Sequence, residues 1–302
     1  MHGILIVEKP EGPTSHDIIS IVRRAAKQKK VGHTGTLDPA ASGVMVVCLG
    51  NATRIIEYLM DWDKEYVAEA TFGAETSTQD QTGEITNEVD CSGLTRDRVE
   101  AILPKFIGKI EQIPPMVSAV HHQGKRLYEI ARAGITVERA SREIEIYSLS
   151  LEDFTPGARP TALFKVCCSK GTYIRTLCAD IGEAVGGLAF MSKLVRTRVG
   201  PSRIEDAASI DEIRDRGIEG SLSEILMPIE SVLSEIQQVH LSEDKSNSIA
   251  HGMQVRLDRD SLCVGNALMF DPSGSLLGVG LISESSNVEM LLKLEKVFSA
   301  VS

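Results

Sequence analysis

No apolar run in the 302 residues approaches the ~18 that a membrane-spanning helix needs, so a membrane protein is not expected. The opening residues, Met1-His2-Gly3-Ile4-Leu5, lack a basic segment followed by a long apolar stretch, and a secretory leader is not expected either. The six cysteines, at 48, 91, 167, 168, 178 and 263, include no Cys-x-x-Cys pair, and no two histidines stand at zinc spacing. Neither a metal site nor a disulfide framework is therefore expected, and the thiols read as the reduced cysteines of a cytoplasmic protein. His121 and His122 are adjacent, so their side chains diverge on a strand or a helix and make a poor ligand pair. There is no internal repeat, no low-complexity segment and no Lys-rich tail.

What is present suits a soluble globular chain: 42% hydrophobic and 25% charged residues, and a length sufficient for a large core and more than one domain. The net charge of −10 argues against a nucleic-acid partner, but the local distribution of charge matters more than its sum. Arg23, Arg24, Lys27, Lys29 and Lys30 form a run with no acid between them. Lys193, Arg196, Arg198 and Arg203 form another, and many of the compensating acids lie between Glu205 and Glu235. Taken singly, each basic run reads as a solvated face.

Gly3 to Val7 reads as a buried strand, followed by a Pro- and Gly-rich turn. Ser15 is positioned to cap a helix carrying Ile18, Ile19 and Val22 on its apolar side. Gly43 to Leu49 and Tyr66 to Phe72 read as strands, with a helix from about Ala52 to Met60 between them. Thr95 caps a helix bearing Val99, Ile102, Leu103 and Phe106. Leu127, Ile130 and Ala131 mark another. Glu143 to Leu151 and Ala162 to Cys168 read as strands, and Tyr173 to Val185 as a helix. Without regular βαβ alternation, the pattern predicts an α+β fold with a largely antiparallel sheet. After about Ser234 the texture changes to short apolar stretches separated by Ser- and Gly-rich turns, which predicts a small β-rich terminal domain.

Three segments could carry chemistry. The loop Gly32-His33-Thr34-Gly35-Thr36-Leu37-Asp38-Pro39 has two close glycines, and Pro39 biases Asp38 towards an extended conformation. It lacks the Gly-Lys-Ser/Thr ending of a Walker loop. Asp38 could face a cleft, or serve as a helix N-cap with Pro39 in the first turn. Arg175 falls in the first turn of a helix, where the dipole does not favour a cation, so either a carboxylate partner or a local surface pair would account for it. Tyr66 opens a strand, where packing alone would explain it.

Together these segments resemble the TruB family of pseudouridine synthases. The resemblance rests on Gly32 to Val44 (GHTGTLDPxAxGV), Lys9 to Ser15 (KPxGxTS), and Lys64, Tyr66, Gly73, Thr76, Thr78, Asp80 and Gly83 at the family's spacing. It continues through Pro114 to Ala119, Gly124 to Gly134, Ser169 to Leu177, and Leu194, Arg196, Thr197 and Gly200, in order over nearly the whole chain. Two departures stand out: His121 or His122 replaces a usual Lys, and Val117 a more usual aromatic or polar residue.

The resemblance implies that Asp38 is the essential carboxylate and Arg175 its partner. Tyr66 would stack on the target base and could accept a proton. His33 would lie against extruded nucleotides, Tyr173 and Leu194 would line the pocket, and Lys9, in a structural element beside it, would join them in binding substrate. The implied activity is isomerisation of the TΨC-arm uridine of tRNA, position 55, by an enzyme acting alone, without cofactor or metal. The basic runs would then meet phosphates, through Arg23, Arg24, Lys29, Lys30 and Arg196. The chain would divide into a catalytic domain (1–235) and a PUA-like RNA-binding domain (236–302), and act as a monomer. A dyskerin-type enzyme directed by guide RNA and a tRNA-folding factor are the rival readings. A glycoside hydrolase would need a second acid beside Asp38, for which the sequence offers no clear partner.

The chemistry fits these residue types. Cleaving the C1′–N1 bond of uridine builds positive character on the sugar, which a carboxylate can stabilise or capture. An ionised carboxylate in a dry pocket is costly without a fixed positive charge, and Arg supplies that with bidentate geometry. The residues leave open whether Asp38 attacks C1′ or removes a ribose proton.

Overall fold

The structure is a computed structural model that describes residues 1–118, 121–122, 124–127, 130, 135, 137–258, 262–285 and 289–298. Leu127 and Ile130 of the expected helix are helical, but Ala131 and most of the segment from Gly124 to Gly134 lie outside the described residues.

The chain runs β1 (Gly3–Lys9), α1 (Ser15–Ala25), β2 (Val31–His33), β3 (Ser42–Leu49), α2 (Ile56–Met60), β4 (Lys64–Phe72), β5 (Ala74–Thr76), β6 (Ile85–Glu88), α3 (Arg96–Ile102), β7 (Gly108–Gln112), β8 (His121–His122) and β9 (Lys125–Arg126). It continues through β10 (Arg142–Thr155), β11 (Thr161–Cys168), α4 (Ile174–Ala184), β12 (Ala189–Val199), β13 (Ser202–Arg203) and α5 (Ile210–Glu219). The last elements are β14 (Gln237–His240), α6 (Glu243–Ala250), β15 (Val255–Asp258), β16 (Gly265–Phe270), β17 (Leu276–Glu284) and β18 (Glu289–Val297).

The main sheet has the order β1-β3-β12-β4-β11-β10-β7, with β2 added on β3 and β13 on β12. Its pairings are antiparallel except β3 with β12. A second sheet, β14-β16-β17-β18-β15, forms the C-terminal β-rich domain. The α+β class and the antiparallel bias follow the sequence reading. The helix α6 inside the terminal domain does not, because its apolar face is small: Ile249 is its buried hydrophobic residue.

Burial explains the strand types. In β4 alternate residues are buried, so Tyr66, Ala68, Ala70 and Phe72 face one core while Glu65 and Glu69 turn away. In β3 nearly every residue is buried. Val44, Val46 and Cys48 pack with Ile55, Leu59, Leu268, Phe270 and Val279 on one face, and Met45, Val47 and Leu49 with Ile18, Val22 and Ile213 on the other. The terminal sheet thus shares a core with β1 and β3.

Helix α1 is capped one residue earlier than the sequence suggested. Thr14 accepts from the Asp17 amide while the Asp17 carboxylate accepts from the Thr14 amide, a complete capping box. Ser15 is freed for another contact. The expected helix from Ala52 to Met60 begins as a 3-10 turn over Gly50–Ile55 and becomes α-helical at α2.

One glycine decides how the site is assembled. β3 and β12 run parallel, with Gly43 opposite Arg196. Gly43 has φ +108, and a Cβ there would stand 2.2 Å from the Arg196 carbonyl oxygen and 2.7 Å from its amide nitrogen. Only glycine permits that approach.

Candidate active site

The loop that follows β2 is held from both sides. Ser15 Oγ donates to the Leu37 carbonyl at 2.9 Å and accepts from the Leu37 amide at 2.8 Å. Lys9 Nζ donates to the carbonyls of Pro10 (2.9 Å), Pro39 (3.3 Å) and Ala41 (2.6 Å). Arg196 donates through Nε to Val44 O at 2.7 Å, and through its two Nη atoms to Gly35 O at 3.3 Å and Thr36 O at 3.5 Å. Residues 35, 36, 37, 39 and 41 therefore have fixed carbonyls, and Asp38 sits at the centre of the clamp. The Ala41 amide donates to the Asp38 carbonyl in a tight turn, and no helix follows, so Asp38 is not an N-cap.

Arg175 is the partner of that carboxylate. Its Nε lies 3.0 Å from Asp38 Oδ2, with the Arg175 side chain 5% exposed and that of Asp38 40% exposed. Its Nη1 lies 3.5 Å from Asp80 Oδ2 and donates to Thr78 O at 3.0 Å, while Nη2 donates to Val117 O at 2.7 Å. The guanidinium is thus bound on every edge by two carboxylates and two carbonyls. The bonds to the buried Asp80 and to the two carbonyls contribute roughly 1.5–3 kcal/mol each, and the solvent-screened pair with Asp38 less. The unfavourable place of Arg175 in the first turn of α4 is offset by these partners.

Asp80 has the fewer free lone pairs of the two carboxylates. Its Oδ1 accepts from Thr78 Oγ1 (2.7 Å), the Thr82 amide (2.9 Å) and Thr82 Oγ1 (2.5 Å). Asp38 alone has a carboxylate that reaches solvent from this cluster. The sequence reading placed Asp80 in a motif without giving it a role. The hydroxyl-rich run Thr76 to Thr82 around a single acid was the available signal.

Tyr66 and Leu194 are both buried, at the centre of the sheet where β4 pairs with β12. Burial pushes the Tyr66 phenol above its ordinary range; the Arg196 guanidinium opposes this and the Asp38 carboxylate adds to it. Tyr66 is therefore a neutral phenol near pH 7 and within electrostatic reach of Asp38. His33 is half-buried, and burial together with Arg196 lowers its pKa, so its ring is neutral. Its Nδ1 has no partner among the described residues. Tyr173 is half-buried just before α4.

Three residues are not where the sequence reading put them. Arg196 was expected on phosphates, but it is 2% exposed and spends its donors on the loop. The alternation that turns Leu194 inward also turns Arg196 inward, which the sequence could have shown. Lys9 was expected to touch the substrate, but it is fully buried beneath the loop. Burial lowers its pKa to about 8, so at neutral pH it keeps the three N–H groups that its three carbonyls need. Arg23 is half-buried and donates through Nη2 to the Val31 carbonyl at 3.1 Å, tying α1 to β2. Arg24, Lys29 and Lys30 are exposed, as a phosphate-contacting group must be. His121 and His122 form β8, and their side chains lie outside the description.

The described residues contain no cluster of three or more metal-ligating side chains and no helix long and apolar enough to cross a membrane. The arrangement is a single solvent-reaching carboxylate on a clamped loop, charge-matched by a buried guanidinium, with the neutral phenol of Tyr66 within its electrostatic reach.

Comparison with known proteins agrees with this arrangement. Residues 23–174 match the model of the TruB family pseudouridylate synthase N-terminal domain, and residues 175–234 that of the tRNA pseudouridylate synthase B C-terminal domain. A protein of Symbiobacterium thermophilum named tRNA pseudouridine synthase B is 48% identical over 251 residues, covering 83% of this chain and 82% of its own. One of the same name from Bacillus pumilus is 40% identical, covering 99% of this chain and 98% of its own. Among solved structures, the archaeal box H/ACA sRNP Nop10-Cbf5 complex contains a chain that superposes with TM-score 0.72 at 25% identity, covering 98% of this chain and 86% of that one. On these grounds the chain belongs to the TruB family and is a pseudouridine synthase.

Proposed function

We propose that this protein acts alone on tRNA and converts the TΨC-arm uridine, position 55, to pseudouridine, with Asp38 as the reacting carboxylate. The observation that carries the reading is the 3.0 Å contact between Arg175 Nε and Asp38 Oδ2, made by a buried guanidinium to a carboxylate that reaches solvent. The names of the relatives quoted above support tRNA as the substrate.

A uridine in a folded RNA must be extruded before it can react, at a cost of a few kcal/mol. The neutral rings of His33 and Tyr66 offset that cost by stacking, and Tyr173 and Leu194 complete the pocket. Asp38 then meets the ribose as the glycosidic bond breaks, as nucleophile at C1′ or as base towards a ribose proton. Both routes need the carboxylate ionised, and Arg175 supplies the balancing charge. The freed uracil turns within the pocket and rejoins through C5. Tyr66, protonated at neutral pH, serves as packing surface and as a relay that takes the proton leaving C5 as it passes its own on towards the N1 nitrogen freed by cleavage, so the proton count is unchanged.

Arg24, Lys29 and Lys30 contact RNA phosphates. We assign residues 1–235 to catalysis and 236–302 to a PUA-like RNA-positioning domain. With eight acids against five bases from Ile236 on, that domain acts by shape more than by charge. The enzyme is monomeric and cytoplasmic in this reading.

The test is to incubate the purified protein alone with unmodified tRNA and to map pseudouridine by mass spectrometry. Pseudouridine at the TΨC-arm site is the expected result. Product formed solely after a guide RNA is added would overturn the stand-alone reading in favour of the dyskerin-type one.

A further inference from the structure

Helix α4 carries Arg175 but has no side-chain cap of its own: Tyr173 is the N-cap residue and makes no capping bond. The missing cap comes from a residue 61 positions away in sequence. Gln112 ends β7 and is 2% exposed. Its Oε1 accepts from the Tyr173 amide at 2.7 Å, and its Nε2 donates to the Tyr173 carbonyl at 3.0 Å. One side chain therefore grips both polar groups of one peptide residue, fixing Tyr173 at φ −98, ψ 105 just before the helix begins.

The same segment makes a second contact. Five residues beyond Gln112, the Val117 carbonyl accepts from Arg175 Nη2 at 2.7 Å. Residues 112 and 117 thus hold residues 173 and 175, one through backbone and one through the guanidinium. We propose that Gln112 is a positioning residue for catalysis: it sets the first turn of α4 so that Arg175 reaches Asp38 and Tyr173 faces the pocket. This rests on the proposed role of Arg175.

The geometry makes the chemical requirement specific. A residue here must accept from an N–H and donate to a C=O at once, which a carboxamide of this length does. Glu keeps the acceptor and turns the second contact into a repulsion between oxygens. Met keeps the volume and loses both bonds. A buried residue that merely filled space would tolerate Met well.

Gln112→Met, Gln112→Glu, Arg175→Lys and the double variant Gln112→Met/Arg175→Lys are compared by single-turnover rate on tRNA, RNA Kd and thermal melting. The expected result is a rate about 10- to 100-fold lower in Gln112→Met, with Kd within about twofold of the parent, from the loss of transition-state geometry without loss of binding. The double variant should be no slower than Arg175→Lys alone, because Gln112 acts through Arg175. Losses that multiply, or a Gln112→Met rate near the parental one, would overturn the proposal. If Gln112→Met is insoluble, the soluble Gln112→Glu decides by the same criteria. If neither folds, Gln112 belongs to the fold and the proposal fails. A parental rate in Arg175→Lys would instead overturn the reading of the ion pair itself.

Discussion

Arg175 and Asp38 share an ion pair of 3.0 Å although their surroundings differ: the guanidinium is 5% exposed and the carboxylate 40%. The cation is built into the protein and the anion projects from it. Arg175 is further held by Asp80 and two carbonyls, so it stays in place whether or not Asp38 is engaged elsewhere. An exposed carboxylate can therefore turn to a substrate without disturbing its counter-charge.

Asp38→Asn should abolish turnover, by on the order of a thousandfold or more, while stability changes by less than about 1 kcal/mol. The loop is held by Lys9, Ser15 and Arg196 and does not depend on the carboxylate. Single-turnover assays and thermal melting check this. If Asp38→Asn still promotes tRNA refolding, the protein also acts by binding. Turnover near the parental rate would refute the assignment.

Arg175→Lys should cost both activity and stability. An ammonium cannot reach two carboxylates and two carbonyls at once, and Asp80 is left buried beside a poorer partner. A loss of about 2–4 kcal/mol in chemical denaturation is expected, with a rate at least about 100-fold lower on the surviving folded protein. A folded variant with a parental rate would show that the pair is structural.

Substituting Arg24, Lys29 and Lys30 together by Gln should weaken RNA binding and lower the slope of log K against log[salt] by about 2 to 3. Arg196→Met should leave that slope unchanged, because Arg196 is buried, and should destabilise the loop instead. Binding titrations at several salt concentrations distinguish the two. An unchanged slope in the triple variant would mean that this face does not meet RNA.

Asp180 lies on α4, five residues beyond Arg175. Burial, with the Glu183 charge, raises its pKa from 3.8 to about 6. Above pH 6 the carboxylate is ionised in folded and unfolded protein alike, and the native state bears the cost. As pH falls through 6 the native state takes up the proton first and the cost disappears. Asp180→Asn should therefore be more stable than the parent at pH 7.5, by about 1 kcal/mol given that the side chain is only partly buried, and equal to it near pH 4. Denaturation curves at the two pH values measure this, and a difference independent of pH would contradict it.

Gly43→Ala should be among the most damaging single-methyl changes in the chain. The added carbon would meet backbone atoms of Arg196 on a neighbouring strand, at a φ that alanine resists. Separating β3 from β12 would move both Arg196 and the loop it holds, at a cost of about 3 kcal/mol or more. A soluble variant with a parental melting temperature would contradict the parallel register.

Periodicity, turn residues and ordered local motifs make the α+β class, the strands β1, β3, β4, β10 and β11 and the loop that carries Asp38 legible in the chain, whereas β12, α5 and α6 escaped them. The alternation of β4 and the glycine-rich loop could be read without neighbours. The pairing of Arg175 with Asp38 was implied by the family motifs, but the other buried partnerships emerge only from the packing of the chain. Lys9 and Arg196 look in the sequence like surface cations, and become internal clamps only where β1 and β12 bring them beneath a loop with open carbonyls. Asp80 and Gln112 were ordinary polar residues until the fold set them against Arg175 and Tyr173, 95 and 61 residues away in sequence. A buried polar group is defined by what satisfies it, and that partner is chosen by the packing of distant segments, not by its neighbours in the chain.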